Sequence, residues 1–210
     1  MLSRYLITCN HAKGRHDYIR NHLNGLFLKD WQVIFAPDYR ILSGLDGVTR
    51  THLSLTHAYI QTLSTALFQG NVDKILIMED DVSFLPDSMP VIESLISELP
   101  EDFDLCYLTK TDANNGAKVE DFSENLTRIV SNWWETPLTL WSRKFAKEFL
   151  KYCEWKLSNG SIGNVDHELC KMNEGETLWP DAKQYAFYGS KHLTAFGLST
   201  TKDSGFISSI

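Results

Sequence analysis

The stretch of sequence that decides the fold is residues 74–81, KILIMEDD, in which the most hydrophobic run of the chain ends at three carboxylates. An unbroken apolar run of this kind is typical of a strand that is buried on both faces, as in the centre of a parallel sheet. Polar residues that end such a strand lie at its carboxyl end, where α/β proteins bind their ligands. The stretch therefore predicts a central strand followed by a candidate site at Glu79, Asp80 and Asp81.

Strand-like and helix-like segments alternate on both sides of this stretch, which predicts βαβ units. The fold class that follows is an α/β sandwich, with helices around a mostly parallel sheet, in a single domain over residues 1–210. A polar, Gly/Asn-rich loop is expected at residues 110–126. Short apolar runs predict further strands at residues 5–9, 31–36, 103–108, 127–130 and 137–141. Helical periodicity predicts helices at residues 15–28, 49–68, 86–99, 142–153 and 164–172.

The composition excludes several classes of protein. The chain has 210 residues, of which 43% are hydrophobic, so it is long enough to bury a core. Its net charge of -7 argues against nucleic acid as a partner, because nucleic-acid-binding domains carry a basic face. We see no signal peptide and no apolar run of about 18 residues, so we expect a cytoplasmic protein without a transmembrane segment. The abrupt ending Ser208-Ser209-Ile210 suggests a fragment of a longer chain.

The three consecutive carboxylates predict a cation site. Each pair of them repels by about 1 kcal/mol even in water, and a divalent cation would remove that repulsion. Mn²⁺ and Mg²⁺ are hard cations that prefer such oxygen ligands. The alternative is an acidic turn exposed to water. A second acidic motif, Asp102-Phe103-Asp104, precedes its predicted strand, so we expect it at the opposite edge of the sheet, away from the site.

Six short motifs, taken in order, resemble those of family 25 glycosyltransferases, the lipooligosaccharide-type enzymes of the GT-A fold. Their order and spacing carry the resemblance more than any single motif does. The same motifs also resemble those of the transferase domains that decorate the capsid glycans of large algal viruses. Beyond Met172 the resemblance is poor. The motifs lie at residues 10–15, 35–38, 55–59, 75–82, 138–146 and 164–166.

This resemblance implies a nucleotide-diphospho-sugar transferase that moves a hexosyl or deoxyhexosyl unit from a UDP-sugar to a glycan acceptor. It implies Asp81 as a direct ligand of Mn²⁺ or Mg²⁺, and Glu79 as a direct or water-mediated ligand. Asp80 would be a catalytic contact of the ribose or donor sugar. His192 would be a further metal ligand, unless it is an ordinary surface or core histidine. The other donor-binding candidates, each with an ordinary structural role as its alternative, are Thr8, Asn10, His11, Arg15, Asp38, Thr56, His57, Lys191 and Lys202.

The acceptor side of the site is less well defined by the sequence. The resemblance implies that Asp166 is the general base that an inverting enzyme needs at the acceptor hydroxyl. An equally good interpretation is a carboxylate that complements the dipole at a helix N-terminus. Trp133 and Trp134 are candidates to stack on an acceptor sugar, although such pairs are more often part of a core. The resemblance favours inversion, and the sequence indicates neither the sugar nor the acceptor.

Two other functions fit the same features. The first is a sugar-phosphate nucleotidyltransferase, but those enzymes usually have a Gly-rich basic loop after the first strand, and residues 10–15 contain only Gly14. The second is a non-catalytic module that binds a nucleotide-sugar or a glycan within a larger chain. Such a module would bind the donor without releasing UDP.

Overall fold

The hydrophobic run at Lys74–Glu79 forms a strand in the interior of an eight-stranded sheet in the computed structural model. The structure describes residues 1–9, 16–17, 31–37, 47–85, 88–110, 112–175, 178–192 and 195–197. The strands are β1 (Leu2–Cys9), β2 (Trp31–Ala36), β3 (Lys74–Glu79), β4 (Val82–Phe84), β5 (Leu105–Tyr107), β6 (Lys118–Asp121), β7 (Leu126–Ser131), β8 (Leu138–Ser142), β9 (Phe187–Ser190) and β10 (Ala195–Gly197). The helices are α1 (Gly47–Phe68), α2 (Ser88–Glu98), α3 (Arg143–Ser158) and α4 (Val165–Glu174), with a 3-10 helix at Asp112–Gly116.

Most strands of the large sheet run in one direction, as predicted. The order across the sheet is β2-β1-β3-β8-β5-β9-β7-β6. Strands β2, β1 and β3 are mutually parallel, and β5 and β9 are parallel to each other. Strand β8 is antiparallel to both of its neighbours, and β7 is antiparallel to both of its own. Only β7 and β8 are therefore reversed among these eight strands, and the predicted α/β class with a mostly parallel sheet is confirmed.

The apolar run of β3 is continuous because both faces of the strand are covered. Ile75 and Ile77 belong to the core cluster on the face that carries α1, α3 and α4. Leu76 and Met78 belong to the cluster on the opposite face, with residues of α2. Burying a side chain of this size stabilises the fold by about 1.5–3 kcal/mol. A strand that contributes to both cores is a rigid support for the acidic residues that follow it.

The ends of α3 and α4 follow local sequence signals. Ser142 is the N-cap of α3, as predicted, and its Oγ accepts a hydrogen bond from the backbone N–H of Phe145 at 3.1 Å. Helix α4 ends at Gly175, which adopts a left-handed φ of 80°. Glycine is favoured at that position because it has no Cβ to clash with the preceding carbonyl. The start of α4 matters for the site, since Asp166 lies in its first turn.

Four strands, namely β4, β6, β9 and β10, were not predicted from the sequence. Strand β6 lies within the stretch that was interpreted as a loop, and its four residues are all exposed, so it has no alternation of apolar and polar residues. Strand β4 directly follows the acidic triplet and pairs with β10, with Val82 opposite Gly197. The chain therefore returns to the vicinity of Asp81 close to its C-terminus.

The predicted helix at residues 15–28 lies outside the described residues except for 16–17, which are helical. Among the helices that the structure describes, none has the length and apolarity to cross a membrane.

Candidate active site

Thr8 and Asp80 meet at the carboxyl edge of the sheet, because β1 and β3 are parallel neighbours. The register pairs Ile7 with Glu79, so the next residue of each strand comes side by side. Thr8 Oγ1 donates a hydrogen bond to Asp80 Oδ2 at 2.6 Å. Since its only proton is used there, the Nε2–H of His16 donates to Thr8 Oγ1 at 3.0 Å. Asp80 is 5% exposed, so the middle carboxylate of the triplet is directed into the protein towards β1.

Glu79 is held from the other side by two hydroxyl groups. The Tyr59 hydroxyl lies 3.0 Å from Glu79 Oε1, and Thr136 Oγ1 lies 2.7 Å from the same oxygen. The backbone joins the two segments as well, because the N–H of Glu79 donates to the carbonyl of Pro137 at 3.0 Å. Burial, followed by repulsion from Asp81 and Asp166, raises the pKa of Glu79 to about 8. Ionised Glu79 is therefore disfavoured unless a positive charge is brought to it.

Asp166 is linked to Glu79 through the hydroxyl group of Thr136. Its Oδ1 lies 3.0 Å from Thr136 Oγ1. Burial is the main cause that raises the pKa of Asp166, and the hydrogen bond from Thr136 opposes it. The hydroxyl of Thr136 has one proton and two carboxyl neighbours, so it can donate to only one of them. The second contact is a hydrogen bond only when that carboxyl itself carries a proton, which agrees with the raised pKa of both acids.

The donor chemistry of this cluster fits a hard cation. Asp81 and Asp166 both lie within electrostatic range of Glu79, and the donor atoms of all three side chains are oxygens. Within the described ranges, however, no three His, Cys, Asp or Glu side chains converge on one point. Mg²⁺-like ions usually take only one or two carboxylates from the protein and complete their shell with water and substrate phosphate. Asp81, which is partly exposed, and Glu79 are the residues of the triplet that suit this role.

The loop before α4 is fixed on both sides by buried side chains. Thr56 Oγ1 lies 2.9 Å from the carbonyl oxygen of Gly163, and also 2.9 Å from that of His52. On the other side, the N–H of Gly163 donates to Glu168 Oε1 at 2.8 Å, and the Tyr152 hydroxyl donates to Glu168 Oε2 at 2.6 Å. Glu168 is fully buried. These bonds position the first turn of α4 and hence Asp166.

Thr56 is therefore corrected from a donor-binding candidate to a residue that ties α1 to this loop. Its hydroxyl is engaged by two backbone carbonyls and is buried, so it is not presented to a ligand. His57, the next residue of α1, is half-buried, and burial lowers its pKa. The assignment of His57 to the donor site stays a prediction.

His192 and Lys191 follow β9, and the structure does not bring them to the acidic triplet. Strands β8 and β5 lie between β3 and β9. His192 Nε2 lies 2.8 Å from Asn125 Oδ1, on the side of β9 that faces away from β3. Lys191 Nζ pairs with Asp121 at 2.9 Å. The expected roles of His192 as a metal ligand and of Lys191 at the leaving phosphate are therefore not supported, because the strand order separates them from Glu79.

A carboxylate at the end of α2, close to the start of β7, affects the stability of the fold. Hydrogen bonds from Ser123 and Asn125 lower the pKa of Glu98, at the end of α2, to about 2. A folded-state pKa below the unfolded one gives stability that is present above about pH 4.5 and is lost as the pH falls towards 2. We expect Glu98→Gln to make the urea midpoint less dependent on pH between 7 and 3. Glu93→Gln, an exposed change on the same helix, is the control, and an equal effect of both changes would contradict the prediction.

The two neighbouring tryptophans have different environments. Trp133 is 3% exposed and packs against Tyr107, with ring centroids 5.8 Å apart, so it is a core residue and not a platform for a sugar. Trp134 is partly exposed, and its ring lies 5.0 Å from that of His167 on α4. Since α4 also carries Asp166, Trp134 stays the acceptor-stacking candidate of the pair.

Five predicted donor-binding residues lie outside the described part of the chain, namely Asn10, His11, Arg15, Asp38 and Lys202.

The competing Asp102-Phe103-Asp104 motif lies at the start of β5, at the opposite edge of the sheet, as predicted. Asp104 accepts a hydrogen bond from the N–H of Ala186 at 2.8 Å and pairs with Lys144 at 3.3 Å. This motif therefore has a structural role.

Tyr59 and Thr136 were not among the residues predicted for the site. Tyr59 lies in the helix predicted at residues 49–68 and in the motif at residues 55–59, but its sequence context assigned it no role in the site. A buried tyrosine hydroxyl usually has a partner, which is the one signal that pointed beyond packing. Thr136 follows a polar segment and precedes a proline, and nothing in the local sequence indicates that it bonds two carboxyls.

Comparisons with known proteins agree with this fold. Neither a protein-family profile nor any curated sequence matches the chain. Among solved structures, a glycosyltransferase involved in the glycosylation of the major capsid of PBCV-1 is similar, with a TM-score of 0.50 and 12% identity over 89% of this chain and 80% of that one. The inositol-1-phosphate CTP transferase from T. maritima aligns with a TM-score of 0.42 and 13% identity, over 89% of this chain and 66% of that one.

The fold assignment is based on the first of these two structures. Together with the sheet order, it confirms the predicted GT-A fold, a Rossmann-like α/β fold with a mostly parallel sheet.

Proposed function

We propose that this protein is a metal-dependent glycosyltransferase that uses a UDP-sugar as donor and a glycan as acceptor. The observation that supports the proposal is the group of carboxylates at the carboxyl edge of a GT-A sheet, in which Asp81 and Asp166 both repel Glu79. Removing a nucleoside diphosphate from a sugar places negative charge on the leaving group, and a bound cation stabilises that charge. Mn²⁺ or Mg²⁺ would satisfy both the carboxylates and the diphosphate.

Each acidic residue has a different role in this proposal. Asp81 binds the cation directly, and Glu79 binds it directly or through water once the ion has offset the repulsion that now raises its pKa. Asp80 bonds Thr8 and so orients the end of β1 towards the donor. Asp166 lies on the acceptor side, where it accepts the proton of the attacking hydroxyl. Transfer with inversion follows from a base on the face opposite the leaving diphosphate.

The first test is the thermal stability of the full chain with UDP and Mn²⁺. At about 100 times the dissociation constant, a ligand stabilises the folded state by about 2.7 kcal/mol. For a domain of this size that corresponds to a rise in Tm of about 5–10 °C. We expect the rise in the wild-type protein and its loss in Asp81→Asn. The matched control is Asp102→Asn, because Asp102 is an exposed member of the other acidic motif.

Two results would overturn the proposal. One is a wild-type Tm that UDP and Mn²⁺ leave unchanged, and the other is an equal rise in Asp81→Asn and the wild type. The reaction products then distinguish a transferase from a binding module and from a nucleotidyltransferase. A transferase releases UDP from UDP-sugar in the presence of mixed glycan acceptors, and a binding module releases none. A nucleotidyltransferase instead forms pyrophosphate from UTP and a sugar 1-phosphate.

A further inference from the structure

Five buried side-chain atoms that could form hydrogen bonds have no partner in the described part of the chain, and they fall into two groups. Two of them, Asp104 Oδ1 and the Tyr185 hydroxyl, lie at the amino edge of the sheet, before β5 and β9. The other three are Thr109 Oγ1, the indole N–H of Trp133 and Asn164 Oδ1. Buried polar groups nearly always have a partner, so three unpaired groups in the segments around one candidate site require an explanation.

Thr109 follows β5 on the side of the sheet that carries α4. Tyr107 belongs to the core cluster on that side, and Leu108 belongs to the cluster on the other side. Because successive side chains of an extended chain alternate, Thr109 returns to the α4 side. Burial is the main cause that raises the pKa of Tyr107, and Asp166 is a further cause, so the end of β5 lies within electrostatic range of Asp166.

The pairing between β5 and β8 places Thr109 beside the segment that contacts Asp166. This pairing continues one residue past β5, since the N–H of Leu108 donates to a carbonyl of β8 at 3.0 Å. Thr109 therefore comes opposite Pro137, and the preceding residue, Thr136, has its Oγ1 3.0 Å from Asp166 Oδ1. Thr109 is only 2% exposed, so bulk water does not serve its hydroxyl.

Asn164 is next to Asp166 at the start of α4. It is the N-cap residue of this helix, but its side chain makes no cap hydrogen bond. An asparagine at this position normally accepts a hydrogen bond from an N–H of the first helical turn. Since the side chain of Asn164 does not, its Oδ1 is available to a donor from outside the helix.

The hydrogen-bonding capacities of Thr109 and Asn164 together match the hydroxyl groups of a sugar. The Thr109 hydroxyl both donates and accepts, and Asn164 Oδ1 accepts. A sugar hydroxyl can serve either of them, because it also donates and accepts. An ionised carboxylate only accepts, so it could not serve Asn164 Oδ1.

We propose that Thr109 and Asn164 bind the hydroxyl groups of the acceptor saccharide that neighbour its attacking hydroxyl at Asp166. The inference rests on the proposed function and deepens it, because it assigns residues that hold the acceptor while Asp166 accepts the proton. It also defines the class of acceptor, a sugar with a free hydroxyl on a carbon adjacent to the one that is glycosylated. A sugar without that hydroxyl leaves a buried polar group unpaired and is bound less tightly.

The test is a titration of the full chain, with UDP and Mn²⁺ present, with the methyl glycosides of glucose, galactose, mannose, xylose and fucose, followed by saturation-transfer NMR and calorimetry. Thr109→Val, which removes the hydroxyl and keeps the shape, should weaken binding of the tightest glycoside about three- to tenfold, as expected for one hydrogen bond. Asn164→Ala should weaken it by a similar factor. The Tm of Thr109→Val without ligand should equal or exceed that of the wild type, because the hydroxyl that is lost has no partner in the structure described.

Tyr185→Phe is the matched control. It also removes a buried hydroxyl without a described partner, but at the opposite edge of the sheet, so glycoside binding should not change. Monodeoxy analogues of the tightest glycoside then identify the hydroxyl that Thr109 binds. For one analogue, the wild type should bind more weakly than it binds the parent glycoside, and Thr109→Val should bind the two equally.

Four outcomes would overturn the inference. They are the absence of binding by all five glycosides, equal binding by Thr109→Val and the wild type, equal weakening by Tyr185→Phe, and a Tm of Thr109→Val well below that of the wild type. Equal binding would mean that buried water alone serves the Thr109 hydroxyl. If the wild type keeps its rise in Tm with UDP and Mn²⁺, these outcomes overturn this inference alone. Without that rise, the proposed function fails and the inference fails with it.

Discussion

Asp166→Asn is expected to lower the turnover of a UDP-sugar by about 10²–10⁴-fold, which is the usual contribution of a general base. Asparagine has nearly the same shape as aspartate and still reaches the Thr136 hydroxyl, which lies 3.0 Å from the carboxylate oxygen. It cannot accept a proton from an acceptor hydroxyl. The rise in Tm with UDP and Mn²⁺ should therefore be retained while UDP release in the presence of acceptors is lost.

Glu135 supplies the most informative control for this experiment. It is exposed, adopts a left-handed φ of 66°, and adjoins Thr136. Its carboxylate is close enough to raise the pKa of Asp166, so it is the rival candidate for the base. We expect Glu135→Gln to retain most of the turnover. If Glu135→Gln loses the activity and Asp166→Asn keeps it, the base has been assigned to the wrong carboxylate.

The part of the site that could be predicted from sequence is the part that depends on consecutive residues. The unbroken run before Glu79 indicates burial on two faces, and a strand with two buried faces has its carboxyl end at a ligand-binding edge. The N-cap at Ser142 was likewise visible as a serine before an apolar helical pattern. In both cases the physical cause and its signal lie within one turn or one strand.

The part that could not be predicted depends on pairing between distant strands. Thr136 reaches Glu79 because β8 is inserted antiparallel beside β3, and the two residues are far apart in the chain. His192 is separated from Glu79 because β9 lies beyond β5 in the sheet, and no local pattern encodes that order. Trp133 and Trp134 are adjacent in sequence but differ in burial, because Trp133 packs against Tyr107 of β5 whereas Trp134 packs against His167 of α4.

The close contact between Trp133 and β9 gives the largest effect on stability that we expect. Gly189 lies in an interior strand, with Tyr107 of β5 on one side and Thr127 of β7 on the other. A Cβ at Gly189 would lie 2.5, 2.7 and 2.9 Å from Cη2, Cζ2 and Cζ3 of the Trp133 ring. Carbon atoms in contact are normally about 3.5–4.0 Å apart. The indole is rigid and buried, so either the ring or the strand must shift.

Gly189→Ala should therefore destabilise the protein by about 3 kcal/mol, at the upper end of the usual cost of overpacking. For a domain of this size the Tm should fall by about 6–12 °C. Gly116→Ala is the control, because no atom lies within 4 Å of the added Cβ and the backbone there needs no positive φ. Its effect on the free energy of unfolding should stay within about 0.5 kcal/mol.

A second variant shows whether the indole ring is the cause. Trp133→Phe shortens the ring that occupies the space beside Gly189, and it removes a buried indole N–H that has no hydrogen-bond partner in the structure described. In Gly189→Ala/Trp133→Phe the loss of stability should be smaller than the sum of the two single losses by at least about 1 kcal/mol, measured by urea unfolding. Additive losses would mean that the cost of Gly189→Ala arises from β9 itself. In that case Trp133 would not be the residue that requires glycine at this position of the sheet.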